Sequence, residues 1–229
     1  MDESQRRELQ YAHNEFFEQL NVDPATGWVR DPYLKFASYP HIGSRYDKMK
    51  RLMIVGMDIG DDTTPGKIHT YDQRSKDIEN FPVDKLNPHM SGTYITAMHF
   101  LADECNEWRR WLEGANLDWG PQRLLNDTNR IPIRNPLSYI AFTNYYKFLL
   151  FHNGAKVQLK KSVEEHFLKE EARILKPDII VLQSAGFRTL KSLLNDLSQI
   201  AEVFVGYHPS VRGKKRRLGN FMQSIKRWP

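Results

Sequence analysis

Four short apolar runs constrain this chain more than any other feature. They are Leu52-Met53-Ile54-Val55-Gly56, Tyr139-Ile140-Ala141-Phe142-Thr143-Asn144, Asp178-Ile179-Ile180-Val181-Leu182 and Glu202-Val203-Phe204-Val205-Gly206. Each has the length of a strand, is rich in β-branched residues, and is continuously apolar instead of alternating. A strand of that kind needs cover on both faces. Helical periodicity between the runs supplies it. Residues 91–112 place Tyr94, Ile95, Met98, Leu101, Ala102 and Cys105 on one face. Residues 160–175 do the same with Val163, Phe167, Leu168, Ala172 and Leu175, stopping before Pro177. Residues 186–197 carry Phe187, Leu190, Leu193, Leu194 and Leu197, and a further helical pattern spans residues 3–20. Strands alternating with helices predict an α/β fold, a three-layer α/β/α sandwich with a central four-stranded parallel sheet.

Composition narrows the class. At 229 residues with 40% hydrophobic content, the chain has enough apolar sequence for one large core. No apolar run reaches the roughly 18 residues needed to span a bilayer, and the polar start reads as no signal peptide, so no membrane partner is expected. The single cysteine, Cys105, excludes an intrachain disulfide and any Cys-only metal or iron–sulfur site, which fits a reducing, cytoplasmic setting. Charge is uneven. Arg212, Lys214, Lys215, Arg216, Arg217, Lys226 and Arg227 give residues 208–229 a charge of +7 with no acid. The whole chain carries +5, so residues 1–207 carry −2. One concentrated basic end on a slightly acidic body suits a polyanion met at one place, or a solvated basic tail.

Ligand sites in parallel sheets lie beyond the carboxyl ends of the strands. The four ends here read Gly56-Met57-Asp58-Ile59-Gly60, Thr143-Asn144-Tyr145-Tyr146-Lys147, Gln183-Ser184-Ala185-Gly186 and Tyr207-His208-Pro209-Ser210. Asp58 suits activation of a water or stabilisation of a cation, or a helix cap. Asn144 offers one acceptor and two donors, the inventory for reading a base edge, or for a turn. His208 is held before a proline and suits donation to a developing oxyanion, or a plain loop histidine. The spacing of Asp58, Asp61, Asp62, His69 and His208 matches no metal cage, and no phosphate-binding Gly-Lys-Ser/Thr loop is present, so no metal and no cofactor are expected. The polar stretch 61–90 reads as a long surface loop.

Taken in order, these strand ends resemble the uracil-DNA glycosylase superfamily. The matching pieces are Gly56-Met57-Asp58-Ile59-Gly60, Thr143-Asn144, the strand Lys176-Pro177-Asp178-Ile179-Ile180-Val181-Leu182, and His208-Pro209-Ser210. The resemblance covers residues 48–229 as a uracil-DNA glycosylase-like domain. Residues 1–47 read as an N-terminal helical extension packed on it. It implies a monomeric, monofunctional DNA glycosylase that flips out a pyrimidine nucleotide and hydrolyses its N-glycosidic bond. In that role Asp58 positions water and faces the sugar cation, and His208 stabilises charge on the departing base. Asn144, with Gly56, Met57, Gly60 and His89, forms the base pocket. The wedge position is Arg212, and Ser210, Lys214, Lys215, Arg216 and Arg217 grip DNA phosphates.

The departures from the family pattern set the substrate expectation. Uracil-specific members follow the catalytic Asp with Pro-Tyr, whose ring blocks substituents at C5. This chain has Ile59 and Gly60 there, which leaves the C5 wall open. The substrate is therefore uracil or a 5-substituted pyrimidine. One alternative is a defence enzyme removing hydroxymethylated or glucosylated cytosine from viral DNA. Another is an inactive nucleic-acid-binding relative. For the base-stacking aromatic, the candidates are His89, Tyr71, Phe81 and Tyr145. Phe221, Met222, Ile225 and Trp228 have the spacing of a terminal helix.

Overall fold

A computed structural model of the chain describes residues 3–18, 22, 23, 25, 26, 35–37, 39–57, 70–127, 131–150, 161–210 and 213–229. The four apolar runs form strands β3 (Leu52–Gly56), β4 (Ile140–Asn144), β6 (Ile179–Leu182) and β7 (Glu202–Val205). They lie side by side in the order β4-β3-β6-β7, and all three pairings are parallel. The sheet does not stop there. Strand β2 (His41–Ile42) adds antiparallel to β4, and β8 (Lys226–Arg227) adds antiparallel to β7. The sheet is thus six-stranded and mixed, a correction to the purely parallel four-stranded expectation. Strands of two residues carry no apolar pattern of their own, so periodicity misses them. The Lys-Arg edge at β8 is short and charged, which discourages pairing with another chain. Strands β1 (Lys35–Ala37) and β5 (Phe148–Leu150) form a separate antiparallel pair.

Alternating strand residues face two buried layers. Met53, Val55, Ala141, Ile180, Leu182, Val203 and Val205 share one core with Leu9 and Phe17 of helix α1 (Glu3–Glu18). Leu168, Ala172 and Leu175 of α6 (Lys161–Leu175) and Leu193, Leu194 and Leu197 of α7 (Lys191–Ser198) complete that layer. Leu52, Ile54, Ile140, Phe142, Ile179 and Val181 face the other layer. It is built from α3 (Pro88–Leu101), α4 (Asn106–Glu113), α5 (Pro121–Leu125) and α8 (Leu218–Ser224). Both faces of β3, β4 and β6 are buried along their whole length, which is why those strands read as continuous apolar runs, while on β7 Glu202 is exposed and Phe204 half-buried.

Three helical expectations change. The stretch 61–90 is not wholly a loop: helix α2 spans Tyr71–Asn80, a 3₁₀ turn spans Val83–Lys85, and α3 starts at Pro88. Helix α2 is held by polar contacts, so it leaves little hydrophobic signature. Ser75 Oγ accepts from Ile42 N at 3.3 Å, and the Glu79 carbonyl accepts from Asn135 Nδ2 at 3.0 Å. The pattern 91–112 is two helices, because Cys105 is extended (φ −140°) and redirects the chain. The turn drives Trp108 into full burial, with its indole N–H donating to the Arg134 carbonyl at 3.1 Å. Helix α8 ends at Ser224, and the chain continues as β8, so Trp228 lies beyond the strand and not on a terminal helix.

One polar cluster lies inside the first core. Lys147, Glu171 and His13 are each no more than 1% exposed. Lys147 Nζ donates to both Glu171 oxygens at 2.9 Å and to Thr143 Oγ1 at 2.8 Å. His13 Nε2 lies 3.0 Å from Glu171 Oε1, and its Nδ1 lies 2.8 Å from the Leu9 carbonyl. The cluster ties α1 and α6 to the residues just after β4.

Candidate functional site

The parallel register places the strand ends on one line. Gly56 pairs with Asn144, Val55 with Leu182, and Leu182 with Val205. Backbone bonds carry that line one residue further: Tyr145 N to Gly56 O at 2.8 Å, Gln183 N to Val55 O at 2.8 Å, and Gly206 N to Leu182 O at 3.0 Å. Gly56, Asn144, Gln183 and Gly206 therefore sit abreast, and Met57 follows the first of them directly while His208 lies two residues past the last.

Gly56 is required by close approach. A Cβ there would lie 2.6 Å from Asn144 Oδ1, 3.1 Å from His89 Cε1 and 3.2 Å from His89 Nε2. Two polar tips thus converge over a residue without a side chain. Asn144 is fully buried as the last residue of β4. His89 comes from α3, whose start is fixed by Asn87 as N-cap, its Oδ1 accepting from Met90 N at 2.9 Å, and by Pro88 in the first turn.

A second close approach brings α3 to the end of β7. A Cβ on Gly92 would lie 2.2 Å from Pro209 Cβ, so the first turns of α3 rest directly on the proline after His208. In consequence His89 Nδ1 and His208 Nε2 are 3.2 Å apart, with ring centroids 4.9 Å apart and planes tilted by 44°. Ser210 N–H donates to His208 Nδ1 at 3.2 Å. A nitrogen that accepts carries no hydrogen, so neutral His208 holds its proton on Nε2. That Nε2–H points at His89 Nδ1, which accepts it, so His89 carries its own proton on Nε2. The two rings form a directed relay running from Ser210 N–H to the gap over Gly56.

Gln183 sets the height of α3 over the sheet. It is 1% exposed, its Oε1 lies 2.9 Å from Thr93 Oγ1, and its Nε2 donates to Thr96 Oγ1 at 3.2 Å. Thr93 Oγ1 is also 3.2 Å from the His89 carbonyl. One buried side chain at the end of β6 thereby fixes the helix turn that carries His89. In the sequence Gln183 reads only as a polar strand end. The hydroxyl pair at i and i+3 on α3 is the one signal for its bracing role.

The remaining predicted residues divide as follows. Met57 is half-buried after β3, its carbonyl accepting from Tyr146 N at 3.0 Å. Ser210 is exposed beside His208. Lys214 and Lys215 are exposed on a 3₁₀ turn spanning Gly213–Arg216, with the Lys215 ammonium 5.1 Å from the Tyr207 ring centre. Arg217 precedes α8 and pairs with Asp118 at 3.0 Å. Asp58, Gly60 and Arg212 lie outside the described residues, as do Asp61, Asp62 and His69. Of the stacking candidates, Phe81 is 47% exposed after α2, and Tyr145 is buried edge-on against Phe187. Among the described residues, no group of three or more His, Cys, Asp or Glu side chains is placed to hold a metal ion. No described helix is long and apolar enough to cross a membrane. In comparison with known proteins, no family model matches the chain and no curated protein sequence matches it.

Proposed function

We propose that this chain is a monofunctional DNA glycosylase, similar in its chemistry to the uracil-DNA glycosylases. In this reading it flips a pyrimidine nucleotide toward the carboxyl ends of β3, β4 and β7 and hydrolyses the N-glycosidic bond. The observation that carries the reading is the wiring of His208. The Ser210 N–H on Nδ1 leaves a neutral imidazole with its hydrogen on Nε2, aimed at His89, whose ring converges with the buried Asn144 amide over Gly56. A neutral donor of that kind stabilises the negative charge that develops on a base oxygen as the bond to the sugar breaks.

The other roles follow from position. Asn144 reads the base edge with its amide, whose orientation suits either a uracil or a cytosine pattern. Asp58, one residue past Met57, orients the attacking water and faces the sugar cation. His89 holds the Nε2–H of His208 before substrate arrives, and a base oxygen takes its place. The residues after Asp58 are Ile59 and Gly60, with no ring to close the C5 side. The substrate proposed is therefore uracil or a 5-substituted pyrimidine, including hydroxymethylated or glucosylated cytosine of viral DNA.

The test is an abasic-site assay on oligonucleotides carrying uracil, hydroxymethyluracil or glucosylated hydroxymethylcytosine. Wild type leaves an alkali-labile site in at least one of them, and the pattern identifies the base. Asp58→Asn and His208→Ala each lower turnover by about 10²-fold or more, with DNA binding near wild type. DNA binding without excision of any of the three bases would instead mark a binding relative of the fold.

A further inference from the structure

The turn Gly213–Arg216 has two sides. On one, Lys215 leans over Tyr207, the neighbour of His208. On the other, Lys214 and Arg217 line an open cleft of about 590 Å³ whose far wall comes from α5 and the residues flanking it, including Asp118, Gln122, Arg123 and Asn126. The far wall takes no part in the site at the strand ends. It is nonetheless fastened to the start of α8, just past the turn, by two backbone bonds, Leu218 N to Trp119 O at 2.8 Å and Gly219 N to Leu117 O at 3.1 Å. Asn220 Nδ2 adds a bond to the Lys214 carbonyl at 2.7 Å. The cleft is thus preformed and needs no ordering of its walls on binding.

Its chemistry is that of a phosphate path. Three cations, Arg123, Lys214 and Arg217, face one carboxylate, Asp118. The Arg123 guanidinium lies 4.1 Å from the centre of the Trp119 ring, a cation–π contact that anchors the side chain at the cleft wall. Gln122 and Asn126 add amides able to bond sugar or phosphate oxygens. Asp118 pairs with Arg217 at 3.0 Å while both remain about half or more exposed, 76% and 49%. An ion pair so solvated is readily exchanged for a phosphate partner.

We infer that this cleft carries the DNA strand flanking the target nucleotide, with Arg123, Lys214 and Arg217 on its phosphates and Asp118 as a competing carboxylate that weakens the grip. The inference rests on the DNA-glycosylase reading for its choice of partner. It predicts effects of opposite sign on the two charges of one wall. Binding is measured by fluorescence anisotropy on an oligonucleotide without any target base, across a salt series. Arg123→Gln combined with Lys214→Gln lowers affinity about 10-fold or more near physiological salt and reduces the salt slope by about two, close to one for each phosphate no longer neutralised. Asp118→Asn raises affinity several-fold.

An unchanged salt slope in the double variant, or weaker binding by Asp118→Asn, overturns the cleft assignment. Tighter binding to RNA than to DNA of the same sequence overturns the choice of partner. If the wild type binds DNA with the predicted salt pattern but excises no base, the cleft stands and the glycosylase reading falls. If excision is present and the salt slope is indifferent to Arg123 and Lys214, the reverse holds.

Discussion

Replacing Glu171 by Gln would be the most destabilising isosteric change within the buried polar cluster, and its magnitude follows from what surrounds it. The carboxylate is 1% exposed and accepts from Lys147 through both oxygens at 2.9 Å, while Thr143 Oγ1 and His13 Nε2 approach Oε1 at 3.1 and 3.0 Å. Burial pushes its carboxyl up, but the Lys147 ammonium and the His13 ring outweigh burial and hold it below the ordinary value. Burial pulls the Lys147 ammonium down, against the opposing pull of Glu171. Removing the negative charge leaves Lys147 either charged and unpaired in the core or forced to lose its proton. Breaking a buried pair costs about 3–5 kcal/mol. Deprotonating a lysine from an ordinary value near 10.4 at pH 7 costs about 4.6 kcal/mol, so both routes arrive at the same range. Urea unfolding at pH 7 measures the loss, and thermal unfolding should show a fall of roughly 10 °C for a domain of this size. The paired change Lys147→Met with Glu171→Leu removes both charges and should cost less than Glu171→Gln alone, because an apolar pair carries no desolvation penalty. A loss under about 1 kcal/mol for Glu171→Gln, or a double variant less stable than the single, would refute the account of the cluster as a mutually compensating pair.

Three further outcomes are expected. Gly56→Ala should fold, at a cost of about 1–3 kcal/mol for the crowding, but lose at least 10-fold in excision rate, because its Cβ meets Asn144 Oδ1 at 2.6 Å and must displace the amide. His41 is fully buried, its Nε2 bonded to the Leu137 carbonyl at 2.8 Å, and burial pulls it to about 4. The unfolded chain then binds a proton first as pH falls. The His41 contribution is therefore whole above about 6.5 and declines toward pH 4 by about 3 kcal/mol, and His41→Gln should flatten that slope in urea titrations across the range. Nitrogen-15 spectra of the imidazoles should place the hydrogens of both neutral His208 and neutral His89 on Nε2. In His89→Leu, His208 should keep that tautomer, since Ser210 N–H holds its Nδ1, and a hydrogen on His208 Nδ1 would break the proposed relay.

The central strands are legible in the sequence because burial on two faces demands continuous apolar runs, and chance rarely supplies four of them between helical patterns. What the sequence hides is whatever is stabilised by backbone pairing or polar contact alone. His41–Ile42 becomes a strand by pairing with Phe142 and Ala141, and its two residues are too few to alternate. Lys226–Arg227 is an exposed pair of cations whose strand character comes entirely from Phe204 and Val205 opposite. Helix α2 offers mostly polar residues and reads as a loop by composition. Its anchors are hydroxyl and carboxylate contacts to other segments, and no local pattern encodes those. The division at Cys105 is hidden for a different reason: the helical spacing continues through it, and the single extended residue that turns the chain leaves no mark in the apolar pattern.

The candidate site follows the same logic one level higher. Gly56, Asn144, Gln183 and Gly206 meet because parallel strands in register end together, so any sequence reading that finds the strands also finds this line of residues. The partnership of His89 with His208, 119 residues away, has no such warrant. It depends on the contact of Gly92 with Pro209 and on Gln183 bracing Thr93 and Thr96, which together lower the start of α3 onto the end of β7. A larger residue at position 92 would lift that helix away from Pro209 before it disturbed the sheet. Gly92→Ala is thus the change that separates the two levels. It should leave the six-stranded sheet intact by circular dichroism, while drawing His89 off His208 and releasing the Nε2–H from its resting partner. If that hydrogen is what a departing base uses, Gly92→Ala should change the excision rate more than the affinity for DNA. An equal loss in both would mean that the helix start serves binding and not the chemistry of His208.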